Sequence, residues 1–210
     1  MPDDLTAGHS GQSPSDDTAP SRFRGVRDIV RVVGSVVIVG LLVVVVSEVV
    51  PPLVAIESGS MEPRMERGDV VFVVGETRFP GPGARHGVVT ASAAETSGYD
   101  RFGSPGDVIV FAPNGDTERT PIIHRAMVYV EEGENWYDRA DPAFLGGADS
   151  CDELAGCPAP HDGFVTKGDA NANYDQVEPT QSTVVRPRWV VGTAELRVPE
   201  FGWVRLSVPA

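Results

Sequence analysis

The sequence predicts a mainly β protein, with an N-terminal transmembrane helix followed by a β-rich domain that carries two loop-rich insertions. Three observations lead there. The composition, 23 Gly and 18 Pro in 210 residues with few aromatics, argues against a helical bundle or coiled coil. One stretch near the N-terminus is apolar on every side. The remainder alternates short β-type runs with Gly and Pro.

The first 28 residues are polar and rich in Ser, Asp, Gly and Pro, with no large apolar group between Leu5 and Phe23. Such a segment cannot bury enough surface to offset the entropy of ordering, so residues 1–28 are expected to be a disordered tail. Arg22, Arg24, Arg27 and Arg31 then lead into Val32–Val46, which has no charged residue. Extended to residues 29–50, the run reaches about 20 residues, enough to cross a hydrocarbon core of ~30 Å. It is too long for a secretory signal's apolar core of roughly 7 to 15 residues, and no small-residue cleavage site follows it. The flanking arginines place its N-terminal side in the cytoplasm and the 51–210 domain outside.

In that domain Asp69–Val74, Asp107–Phe111, Ile122–Val130, Phe164–Lys167 and Trp189–Val198 read as strands. Residues 75–105 and 139–162 are longer than the connections a compact domain needs and read as insertions. Cys151 and Cys157 share the second. Outside the cytoplasm such a pair can form a local disulfide, and with no further cysteine it makes no zinc framework.

Charge narrows the function. The chain carries 30 Asp and Glu against 17 Lys and Arg, net -13, and Lys167 is its only lysine. A nucleic-acid binder needs a positive face to neutralise phosphates, so none is expected. Most of the excess lies beyond the apolar run, at 24 acidic against 13 basic residues. Such a surface suits very salty water, where screening acts over roughly 3 Å at 1 M. An acidic surface kept for solubility would look the same, and composition favours neither; joined to the family resemblance below, it gives the expectation of a halophilic archaeal source.

Directly after the apolar run comes Glu57–Val74, ESGSMEPRMERGDVVFVV, with two serines around a glycine. Ser60 lies within roughly 30 Å of the membrane surface even if the intervening chain is fully extended. A nucleophilic serine needs a base. Of the external histidines, His86 and His161 sit in Gly- and Pro-rich stretches, whereas His124 lies in a strand that holds it rigidly. An ordinary imidazole is mostly neutral at pH 7. A lysine, ordinarily near 10.4, would have to fall by about three pH units at a cost of about 4 kcal/mol. The stretch TKGDANANYD, residues 166–175, offers Asp169 or Asp175 as a carboxylate to orient the imidazole. Its alternating Asp and Asn also resemble half a calcium loop. Tyr174 stands where the sharp-turn glycine belongs and Thr180 where the bidentate glutamate belongs, so no metal or other cofactor is expected.

Taken in order, SGSMEP (58–63), GDVVFV (68–73), GDVIVF (106–111), IIHRAM (122–127), KGDANANYD (167–175) and VPEFGWV (198–204) resemble the type I signal peptidases of the archaeal and endoplasmic-reticulum branch. The resemblance implies a signal-peptidase-like catalytic domain with Ser60 as nucleophile and His124 as base. Ser58 matches a hydroxyl that helps the Ser60 amide form the oxyanion hole. Asp175 and Asp169 match the two aspartates of the last catalytic box. The partners implied are preprotein signal peptides and the lipid bilayer, with further subunits left open. The chain departs from the pattern at Ala170, where Asn is usual. Two other readings stand beside this one: a Ser/Lys peptidase using Lys167, and an inactive membrane-tethered β domain that binds preproteins or surface structures.

Overall fold

The computed structural model describes residues 32–39, 53–177 and 181–200. The chain divides into two units, Met1–Val49 and Val50–Ala210. In the first, residues 32–39 are helical, with Val32, Val36 and Ile38 among their exposed side chains. Among the described residues no helix is long and apolar enough to cross a membrane. The predicted tail and the rest of the predicted span lie outside the described residues, as does the end of the VPEFGWV motif.

The second unit is built on β1 (Leu53–Ala55), β2 (Val70–Val74), β3 (Asp100–Arg101), β4 (Ser104–Pro105), β5 (Val108–Phe111), β6 (Ile122–Val130), β7 (Gly163–Lys167) and β8 (Val190–Val198). Six of these form one antiparallel sheet in the order β1-β2-β8-β5-β6-β7, and β3 and β4 form a separate hairpin. The five strands expected from the sequence all form, within a residue of their predicted starts, because each is a β-branched or aromatic run stopped by Gly, Pro or Asp. β1 is an addition that its three residues could not signal.

Alternation assigns the faces. Val71 and Val73 of β2 are buried, while Val70 and Phe72 are only half-buried. Cross-strand register sets Leu53, Phe72 and Leu196 in one row, with Leu53 and Leu196 exposed. Under the start of the domain, Ile56, Met61, Met65, Val71, Val108 and Ala194 pack together. Ile109, Phe111, Ala126, Tyr129, Phe164 and Val185 form the core between β5, β6 and β7.

Both insertions have more order than their composition suggests. The first contains the helix Ala91–Ser97, started by Thr90, whose hydroxyl accepts from Ala93 N–H, and stopped by left-handed Gly98. Its seven residues, three Ala and four polar, carry too little hydrophobic periodicity to announce a helix. The start of this helix packs against Gly106, at φ +82°, where a Cβ would meet Ala91 N at 2.5 Å. The second insertion wraps Trp136, which is fully buried with Leu145, Leu154 and Ala159 and donates from Nε1 to Gly156 O at 2.8 Å. Cys151 and Cys157 are disulfide-bonded within it.

Candidate active site

The loop bearing Ser60 is held at both ends and from below. Ile56 N–H donates to Asp69 O at 2.8 Å and Gly68 N–H to Ile56 O at 2.9 Å, closing the segment onto the start of β2. Met61 and Met65 are completely buried beneath it. Burial of one such side chain is worth about 1.5–3 kcal/mol, so Met61 acts as a pin next to the serine. Above the pin, Ser58 Oγ and Ser60 Oγ are 3.1 Å apart and hydrogen-bonded. The Ser60 carbonyl oxygen accepts from Ala170 N–H at 2.8 Å.

His124 sits on β6, which is paired on both sides, to β5 and to β7. It is buried, and its Nδ1 donates to Asp175 Oδ2 at 2.6 Å. The donor assignment follows from the carboxylate, which can only accept; in the neutral tautomer this pairing selects, Nε2 carries the lone pair. Asp175 is placed by its own chain: its N–H donates to Thr166 O at 2.9 Å, and its neighbours Tyr174 and Gln176 are buried. Thr166 Oγ1 donates to the same Oδ2 at 2.7 Å, while Gln176 Nε2 donates to that hydroxyl at 3.3 Å. Asp175 Oδ1 is buried without a hydrogen-bond partner among the described residues.

The expected pairing of aspartates with the histidine thus divides. Asp175 meets His124. Asp169 meets Arg125 instead, which grips both its oxygens from Nε at 2.8 Å and Nη2 at 2.7 Å. Asp169 is therefore a brace, because adjacent residues on β6 send His124 and Arg125 to opposite sides of the sheet. Lys167 also stays apart. Its Nζ donates to Gly168 O at 2.9 Å and lies 4.4 Å from the Phe144 ring centroid. Burial pushes its ammonium below the ordinary lysine value, against the attraction of Asp169 and Asp175.

Ser58, Ser60 and His124 line one groove of about 840 Å³. Its apolar lining includes Val54 and Ala55 of β1 and Ile122 and Ile123 of β6. The groove thus presents two serine hydroxyls and an imidazole whose Nδ1 is held by a buried carboxylate. Among the described residues no group of three or more His, Cys, Asp or Glu could hold a metal ion. Sequence reasoning missed Thr166, Gln176, Arg125 and the Ala170 N–H. Only Arg125, a charge inside an otherwise apolar strand, left a signal, since a buried guanidinium requires a partner.

No family model matches the chain. Among curated proteins, one relative is 28% identical over 159 positions, or 75% of this chain. The chain is similar to a signal peptidase subunit. That relative is the signal peptidase complex catalytic subunit SEC11 of Eremothecium gossypii, and the chain spans 65% of SEC11's length. The likeness to SEC11 supports a signal peptidase family, and the mainly β fold is compatible with it.

Proposed function

We propose that the chain is a membrane-anchored serine endopeptidase that removes N-terminal signal peptides from preproteins at the outer face of the cytoplasmic membrane. The observation that carries the reading is the groove lined by Ser60 and His124, with the buried Asp175 carboxylate 2.6 Å from the far side of the imidazole. The likeness to SEC11, a catalytic subunit of a signal peptidase complex, supports the substrate class.

In this mechanism His124 Nε2 takes the Ser60 proton as Oγ attacks the peptide carbonyl. Asp175 stabilises the imidazolium that forms and keeps the ring in one tautomer. Ser58 Oγ and the Ser60 amide stabilise the oxyanion, each donor worth about 3 kcal/mol. The mature protein leaves with a proton from His124, and water activated by the same ring hydrolyses the acyl-enzyme. The apolar walls from β1 and from Ile122 and Ile123 suit small side chains of an extended peptide.

Membrane attachment rests on the apolar run 29–50, helical where it is described, and on its continuity with β1 three residues later. Within the domain, Leu53 and Leu196 are the exposed ends of a row through half-buried Phe72. Two engagements of Lys167, with Gly168 O and with the Phe144 ring, weigh against a Ser/Lys mechanism. The test is cleavage of a preprotein in membranes at high and low salt. Ser60→Ala is expected to abolish it; retained cleavage would refute the assignment, and a binding function untouched by Ser60→Ala would favour the inactive tethered domain.

A further inference from the structure

Asn171 contributes nothing visible to holding the fold through its side chain. Its backbone N–H closes a turn onto Gly168 O at 3.0 Å, but its half-buried amide has no hydrogen-bond partner among the described residues. The same residue lines the groove that holds Ser60 and His124, as well as an adjoining polar hollow of about 370 Å³. Its position is set by Gly168. The point where a Cβ on Gly168 would sit is 2.6 Å from Ser60 O and 2.8 Å from Asn171 Nδ2, so the amide lies beside the nucleophile's own main chain.

Neither atom of that amide is buried without a partner, so it faces water in the free protein and can exchange that water for a hydrogen bond to a peptide in the groove. An extended peptide offers alternating C=O and N–H groups, the complement of a carboxamide's donor and acceptor. Resting on the peptidase reading, we infer that Asn171 hydrogen-bonds the main chain of the bound signal peptide next to the scissile bond. It acts in the ground-state complex and fixes the peptide's depth in the groove, while Ser58 and the Ser60 amide serve the transition state.

The test uses the full-length protein in detergent micelles. A fluorescein-labelled signal-peptide substrate is titrated onto the inert Ser60→Ala variant, with and without Asn171→Ala or Asn171→Asp. Both Asn171 changes are expected to weaken binding about tenfold, the worth of one peptide hydrogen bond. In the active background both should lower kcat/KM by about the same factor, through KM. Asn171→Asp preserves shape but removes the donor, so binding restored to normal by Asp overturns the inference, as does a fall in kcat with unchanged binding. Should Asn171→Ala fail to fold, the Asp variant decides alone. Failure of the peptidase reading looks different: wild type does not cleave the peptide, or Ser60→Ala does.

Discussion

Arg125 holds Asp169 through two parallel hydrogen bonds of 2.8 and 2.7 Å, and so ties the strand of His124 to the loop of Ala170. That loop in turn donates to the Ser60 carbonyl at 2.8 Å. Arg125 Nη1 also donates to Gly106 O at 2.7 Å, reaching the turn before β5. One guanidinium thereby sets the spacing between serine and histidine without touching either.

Arg125→Lys removes the fork while keeping the charge. A lysine cannot pair both Asp169 oxygens and the Gly106 carbonyl at once. Stability is expected to fall by about 1–3 kcal/mol and cleavage by tenfold or more, read by urea denaturation and by a preprotein assay on the folded variant. Loss of activity with Ser60 and His124 intact would mark the pair as a positioning element.

Asp175→Asn keeps the shape but cannot accept from the His124 Nδ1 proton through its amide nitrogen, and it favours the wrong imidazole tautomer. Cleavage is expected to fall by about 10⁴-fold with little change in thermal midpoint. A variant within tenfold of wild type would remove Asp175 from the mechanism.

Gly168→Ala introduces a Cβ 2.6 Å from Ser60 O, a backbone atom that cannot step aside without moving the serine. A loss of at least a hundredfold in kcat is expected. Gly75→Ala, where nothing lies within 4 Å of the added carbon, serves as the control and should cleave normally.

Lys167→Met removes a partly desolvated cation and leaves the groove untouched. Cleavage is expected to stay within about threefold of wild type, and abolition would restore the Ser/Lys reading. Because burial lowers the Lys167 pKa, the unfolded chain binds that proton more tightly. Its destabilisation is therefore present at neutral pH and fades as pH rises toward the unfolded value, a slope that Lys167→Met should erase.

Tyr99 gives the opposite slope. Burial, with its hydrogen bond to the Asp107 carboxylate, pushes its phenol up to about 12. The folded protein keeps a proton that the unfolded chain loses near pH 10. The contribution is thus complete below about pH 10 and lost as pH rises toward 12. The urea midpoint should fall over that window in wild type and flatten in Tyr99→Phe.

How much of this was legible in the chain depends on the range of the interaction. Each strand of the central sheet is a local pattern, and the first Gly-Asp box is a local turn in which Asp69 accepts from Glu66 N–H at 2.6 Å, whereas Asp107 of the second accepts from Val89 N–H, 18 residues away. Ser60 and His124 could be singled out because a serine beside the apolar run and a histidine in a rigid strand each answer a chemical requirement by themselves. The helix Ala91–Ser97 was illegible for the converse reason, since its stability comes from a cap and from packing rather than from its own seven residues.

The tertiary structure alone decided between the two aspartates. Asp169 and Asp175 share one polar loop, and no local rule prefers either as the partner of a histidine 51 residues before Asp175. The choice follows from the pairing of β6 with β7, where Arg125 lies opposite Lys167 and a register shift falls between Ala126 and Val128. Side chains in a strand alternate between faces, so a slip of one residue would exchange the places of His124 and Arg125. By itself the sequence determined which residues are capable of the chemistry. Register, a property of two distant segments together, determined which of them meet.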